Sequence, residues 1–159
     1  FRGTPLMLQL FFVYYGLPIM FGPAFRMENT VAAVLTFTMN YAAYFAEIYR
    51  SGIESIPKGQ YEAATLLGYS RGQTFFRIVL PQMVKNVLPS VTNEVITLVK
   101  DTSLVYSLSY IEMFAVAKQI AAAQTSMVPY IAAGIFYYVF NLLVAMIMEK
   151  IEEKLNYYH

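Results

Sequence analysis

The residues of this chain best suited to meet a small charged molecule lie in one short stretch, Lys100-Asp101-Thr102-Ser103, with Asn93 and Glu94 about two helical turns earlier. Lys100, Thr102 and Ser103 offer donors, and Asp101 or Glu94 offers an acceptor, so the group suits a ligand carrying both a carboxylate and an ammonium. An acidic residue there would further suit a cationic side chain. At about 100° per residue, Asn93, Glu94, Thr97, Lys100 and Asp101 fall within an arc of roughly 120°, while Val91, Val95, Ile96, Leu98 and Val99 cover the other side. The competing reading is structural: Lys100 and Asp101 pair with each other or with neighbouring helices and hold the fold, as buried ion pairs often do.

Other chemistries find little support. The chain has no Cys and a single His, His159, which leaves no disulfide framework, no thiolate nucleophile and little for zinc or a catalytic triad. No Gly-x4-Gly-Lys-Ser/Thr phosphate loop occurs, so nucleotide hydrolysis is not expected of this chain and it is not read as an enzyme. A net charge of +1 with no basic run argues against a nucleic-acid partner.

The elements that must position the polar group are apolar. With 58% hydrophobic and 13% charged residues and a mean hydropathy of +0.49, the chain departs from soluble domains, where charged residues make up about 25%. Charge-free runs occupy Gly3 to Phe25, Asn29 to Ala46 and Gln119 to Met148. They predict membrane helices over about 4–22, 29–53 and 128–154, with a further helix over 84–100 followed by a broken segment, 103–124. Pro5 suits a first turn, whereas Gly16, Pro18, Gly22 and Pro23 point to a kinked far end. Glu47 and Arg50 read as an interfacial pair, and Asn40, Tyr41 and Tyr44 put polar tips on an apolar helix. An ionisable group at membrane depth costs about 2.5 to 3.5 kcal/mol, so Glu94, Lys100 and Asp101 should face the bundle interior, a cavity or one another. A rival reading makes Glu94, Lys100, Asp101 and Glu112 an ion relay in a secondary carrier or channel.

Between the second and third apolar segments lies a polar loop over 55–81. Pro57 pre-sets a helix entry, Gly68 offers a left-handed stop after Leu67, Ser70 and Gln73 have the form of a capping box, and Pro81 is expected to interrupt the helical pattern beyond it. Glu62, Ala63, Ala64, Gly68, Ile78, Leu80 and Pro81 fill every fixed position of the signature of bacterial ABC importer membrane subunits: Glu-Ala-Ala, three residues, Gly, nine residues, Ile-x-Leu-Pro. Arg2-Gly3-Thr4-Pro5-Leu6, Ala46-Glu47-Ile48, Ile56-Pro57-Lys58-Gly59-Gln60 and Lys100-Asp101-Thr102-Ser103-Leu104 resemble the polar amino acid uptake branch, and the likeness runs over nearly the whole chain.

The resemblance implies an all-α integral membrane protein, a MetI-like transmembrane helix bundle with a cytoplasmic coupling helix, acting as the permease subunit of an importer of polar or basic amino acids. It implies a second permease subunit, two ABC ATPase subunits that carry the ATP and Mg, and an extracytoplasmic substrate-binding protein, with no cofactor on this chain. Glu62, Ala63, Ala64 and Gly68 become the ATPase-coupling residues, and Asn93, Glu94, Lys100, Asp101, Thr102 and Ser103 the candidate substrate contacts. The family usually has one more helix before the first one seen here. Phe1 in place of Met, and no small-residue cleavage pattern after Tyr15, likewise read as a start inside a longer chain.

Charge placement gives an orientation without the family. With the loop and C-terminus inside the cell, Arg2, Arg50, Lys58, Arg71, Arg77, Lys85, Lys150 and Lys154 are internal and Arg26 and Lys118 external. No internal repeat and no linker divides the chain, so a single domain over 1–159 is expected.

Overall fold

The computed structural model describes residues 3–155, with nothing to say of the Leu155 side chain; Arg2, counted above among the internal charges, lies outside the described residues. Every regular element among them is helical. In order they are α1 (Leu6–Phe11), a π-helical turn Phe12–Gly16, α2 (Leu17–Phe21), a 3-10 turn Pro23–Phe25, and α3 (Asn29–Glu54). Next come α4 (Lys58–Leu66), α5 (Arg71–Thr74), a second π turn Phe75–Val79, α6 (Leu80–Asp101), a 3-10 segment Thr102–Leu108, α7 (Met113–Gln124) and α8 (Val128–Leu155).

The first helical stretch, expected over 4–22, runs Leu6–Phe21 with a π turn in its middle. At 1.5 Å per residue it is about 24 Å long, short of the roughly 30 Å hydrocarbon core. Pro5 caps it, and Gly22 at φ 98° ends it in a conformation that L side chains avoid. α3 and α8 are long and apolar enough to cross a membrane. α8 keeps Tyr138, Leu142, Val139, Leu143 and Phe140 exposed over about half of its circumference, which water does not favour and lipid or a partner helix does.

Two compact units can be distinguished, residues 1–44 with 96–144 and residues 45–95 with 145–159. No linker marks the division because its boundaries fall inside α3, α6 and α8. In the first unit Leu10, Ala33 and Leu108 form the buried centre, with Phe11, Phe37 and Leu104 packed on it. Asn40 Nδ2 donates to Gln9 Oε1 at 2.9 Å, tying α3 to α1 through a buried amide pair, and Gln9 Nε2 donates to Thr4 Oγ1 at 2.9 Å. Bonds of this kind satisfy polar groups that lipid cannot.

In the second unit α3 and α6 approach closely at Gly52. A Cβ added there would overlap Val87 Cγ1 and lie 3.0 Å from Met83 Cγ, so the absent side chain is what lets the helices meet. Asn86 Nδ2 donates to Ser55 Oγ at 2.9 Å alongside.

Candidate functional site

Two groups of side chains stand out, one in each unit. In the second unit, Pro57 caps α4 with φ −57° and ψ 138°, and the helix ends at Leu66. Tyr69 N donates to Ala64 O and Gly68 N to Thr65 O, both at 3.0 Å, with Gly68 at φ 77°. That pair of bonds is a Schellman ending, which requires the left-handed residue supplied by Gly68. Ser70 then opens α5 with both halves of the capping box made: Gln73 N donates to Ser70 Oγ at 3.3 Å and Ser70 N to Gln73 Oε1 at 2.9 Å.

Pro81 does not interrupt the helix as expected. The chain stays helical from Arg71 to Asp101, with the π turn Phe75–Val79 ending two residues before the Pro81 ring and widening the turn that the ring would crowd. Of the four coupling candidates, Glu62, Ala63 and Gly68 are exposed, whereas Ala64 is completely buried. The two alanines are therefore small for different reasons: Ala64 seats the loop against its own unit, and Ala63 leaves the outer face low. Beside them Leu66 and Leu67 are 89% and 74% exposed, an apolar spot on a loop whose exposed residues are otherwise largely polar.

In the first unit, α6 ends at Asp101 and tightens into the 3-10 segment. Thr102 Oγ1 donates to Val99 O at 2.7 Å and Ser103 Oγ to Lys100 O at 2.8 Å. These hydroxyls satisfy carbonyls that the end of a helix leaves open, and in this structure they act as acceptors toward anything else. Thr102 also borders a cavity of about 360 Å³ with Phe37, Val105 and Glu112.

Lys100 is exposed and Asp101 half-buried, and among the described residues no ion pair joins them. Asp101 instead accepts a hydrogen bond from Tyr41 Oη to its Oδ2 at 2.8 Å, across from α3. Sequence reasoning finds the polar tip of Tyr41 without its partner. The signal for that partner is a phenol on an apolar helix, which needs one once buried. Asn93 and Glu94, exposed and half-buried, lie on α6 about two turns before Lys100 and Asp101. Glu112 caps α7, accepting from Phe114 N at 2.7 Å and Ala115 N at 2.6 Å, so its carboxylate is held by a helix end. Glu47 and Arg50 form a 2.6 Å ion pair with both side chains partly exposed.

The model of one family, described as the binding-protein-dependent transport system inner membrane component, matches residues 1–157. The chain belongs to this family. It is 43% identical over 157 residues to the arginine transport system permease protein ArtQ of Bacillus subtilis (strain 168), covering 98% of this chain and 71% of that protein. It is 38% identical over 161 residues to the L-cystine transport system permease protein TcyB of the same organism, covering 99% and 67%. A crystal structure of an amino acid ABC transporter with histidines superposes with a TM-score of 0.86 at 31% identity, over 96% of this chain and 71% of that one. The all-α, MetI-like bundle and the permease class inferred from the Glu62–Pro81 signature agree with these matches. The chain is a transport component of an inner membrane and not itself an enzyme.

Proposed function

We infer that this chain is the permease subunit of an ATP-driven importer of polar or basic amino acids. The observation that carries the reading is the Glu62–Pro81 loop: two capped helices around a left-handed Gly68, with Leu66 and Leu67 exposed beside it, in a chain similar end to end to amino acid permeases. Two ATPase subunits dock on this loop and on that of a second permease subunit, and an external binding protein delivers the amino acid. ATP and Mg belong to the ATPase subunits, and the chain supplies no phosphate loop. A capped, rigid loop passes the motion of its partner to the helices on either side of it. The loop and the C-terminus lie in the cytoplasm, which the excess of Lys and Arg on that side supports.

The ligand contacts are assigned to Lys100, Asp101, Thr102 and Ser103, with Asn93 and Glu94 extending the polar face of α6. Lys100 meets a substrate carboxylate, and Asp101 meets an ammonium or guanidinium. The test is reconstitution of the purified assembly in proteoliposomes. Uptake of labelled arginine is expected to need ATP, the ATPase subunits and the binding protein. Uptake driven by a proton or sodium gradient without the ATPase would overturn the reading in favour of an ion-coupled carrier.

A further inference from the structure

We propose that Tyr41 is a positioning residue that holds the Asp101 carboxylate oriented toward the cationic group of the substrate. The proposal rests on the reading of Asp101 as a ligand contact and adds to it the residue that aims it.

Tyr41 is 6% exposed, and its ring packs between Phe37, at 6.2 Å and 10°, and Tyr44, at 6.4 Å and 41°. Packing rather than the hydrogen bond alone therefore fixes where the hydroxyl sits. That hydroxyl lies 2.8 Å from Asp101 Oδ2. Asp101 needs such a donor because its carboxylate is half-buried, where a polar group without a partner is costly. The neighbouring hydroxyls do not supply it, since Thr102 and Ser103 donate to the Val99 and Lys100 carbonyls. Among the described residues no cation pairs with Asp101.

A neutral donor orients the carboxylate without cancelling its charge and engages only Oδ2. The group keeps a full negative charge and a second oxygen for an incoming cation. A purely fold-holding bond has no use for that charge. One residue earlier on the same helix, Asn40 joins α3 to α1 through the neutral amide of Gln9, which is how this unit builds a bond that only has to hold.

The experiment uses the complete assembly of permease, ATPase and binding protein in proteoliposomes, with labelled arginine as probe. Tyr41→Phe keeps the ring and removes the donor. It is expected to slow ATP-dependent arginine uptake about tenfold, while ATP hydrolysis stimulated by the loaded binding protein stays within about twofold of wild type. Asp101→Asn is expected to slow uptake at least as much, and Tyr41→Phe/Asp101→Asn no more than Asp101→Asn alone. Parallel loss of uptake and stimulated hydrolysis in Tyr41→Phe would mark a structural role and overturn the proposal. Impaired Asp101→Asn beside wild-type Tyr41→Phe sinks the positioning role alone, whereas wild-type Asp101→Asn sinks the ligand reading and the proposal with it. Should Tyr41→Phe fold poorly, the double variant strands no charge and decides the matter: uptake equal to Asp101→Asn supports positioning, and a further loss refutes it.

Discussion

Gly68 sits where the backbone, not the surroundings, restricts the choice of residue. Its φ of 77° is left-handed, and a Cβ built there meets nothing within 4 Å, so a replacement is opposed by conformation alone. For an L side chain that opposition is about 1 to 2 kcal/mol, which the terminal turn of a nine-residue helix can hardly absorb. Gly68→Ala is therefore expected to fray the end of α4 and lower co-purification of the ATPase subunits, while Gly68→Asn, whose side chain tolerates the left-handed region, restores most of it. Equal ATPase yield from all three proteins, measured on an affinity-tagged permease, would remove the claim. Gly68 and the Ser70–Gln73 box are legible in the sequence because their bonds close within a few residues. The Asp101 partner is not: Tyr41 is 60 positions away, and helical periodicity places a side chain on a face without naming what lies opposite. Ala64 is legible as small but not as buried, since Glu-Ala-Ala on its own does not say which alanine turns inward.

At the scale of elements, each of the two π turns comes just before a proline, although Pro89 lies inside α6 without one. Phe12–Gly16 ends two residues before Pro18, and Phe75–Val79 ends two residues before Pro81. A proline lacks the N–H for its own turn and crowds the carbonyl four residues back; widening that turn relieves the clash without breaking the helix. Sequence reasoning places a break at Pro81 because proline marks a boundary more often than a π turn, and the turn has no residue signature of its own. One extra residue in the turn also rotates the segment before it by about 100° relative to the segment after it, so α5 and the first turns of α6 owe their relative facing to Pro81. Pro81→Ala removes the need for the widened turn. It is expected to leave the ATPase bound, because α4 and its caps are untouched, and to reduce arginine uptake per ATP hydrolysed. An unchanged ratio of uptake to hydrolysis in proteoliposomes would show that the π turn is not required for coupling.

Over the whole chain, orientation can be tested against the protein's own composition. The wide apolar face of α8 says that a membrane or partner helix covers it, but an apolar surface has no inside or outside. Direction comes from charge: the loop and C-terminal tail carry Lys58, Arg71, Arg77, Lys150 and Lys154, whereas Arg26 and Lys118 stand alone in the segments assigned to the other side. The chain contains no Cys, so a single introduced thiol reports its own position without a background to remove. Arg71, Lys150, Arg26 and Lys118 are all exposed, so each accepts a label without repacking. In intact cells a membrane-impermeant maleimide with access to the outer face of the membrane is expected to modify Arg26→Cys and Lys118→Cys and to spare Arg71→Cys and Lys150→Cys. In inverted vesicles the pattern should reverse. Labelling of Arg71→Cys from outside would turn the subunit over, and with it the side from which an ATPase could reach Gly68. A protected Arg71→Cys with a reactive Lys150→Cys would instead leave the loop inside and move only the tail. Testing the loop and the tail separately is necessary because α8 lies between Lys118 and Lys150, and its passage through the membrane rests on length and composition.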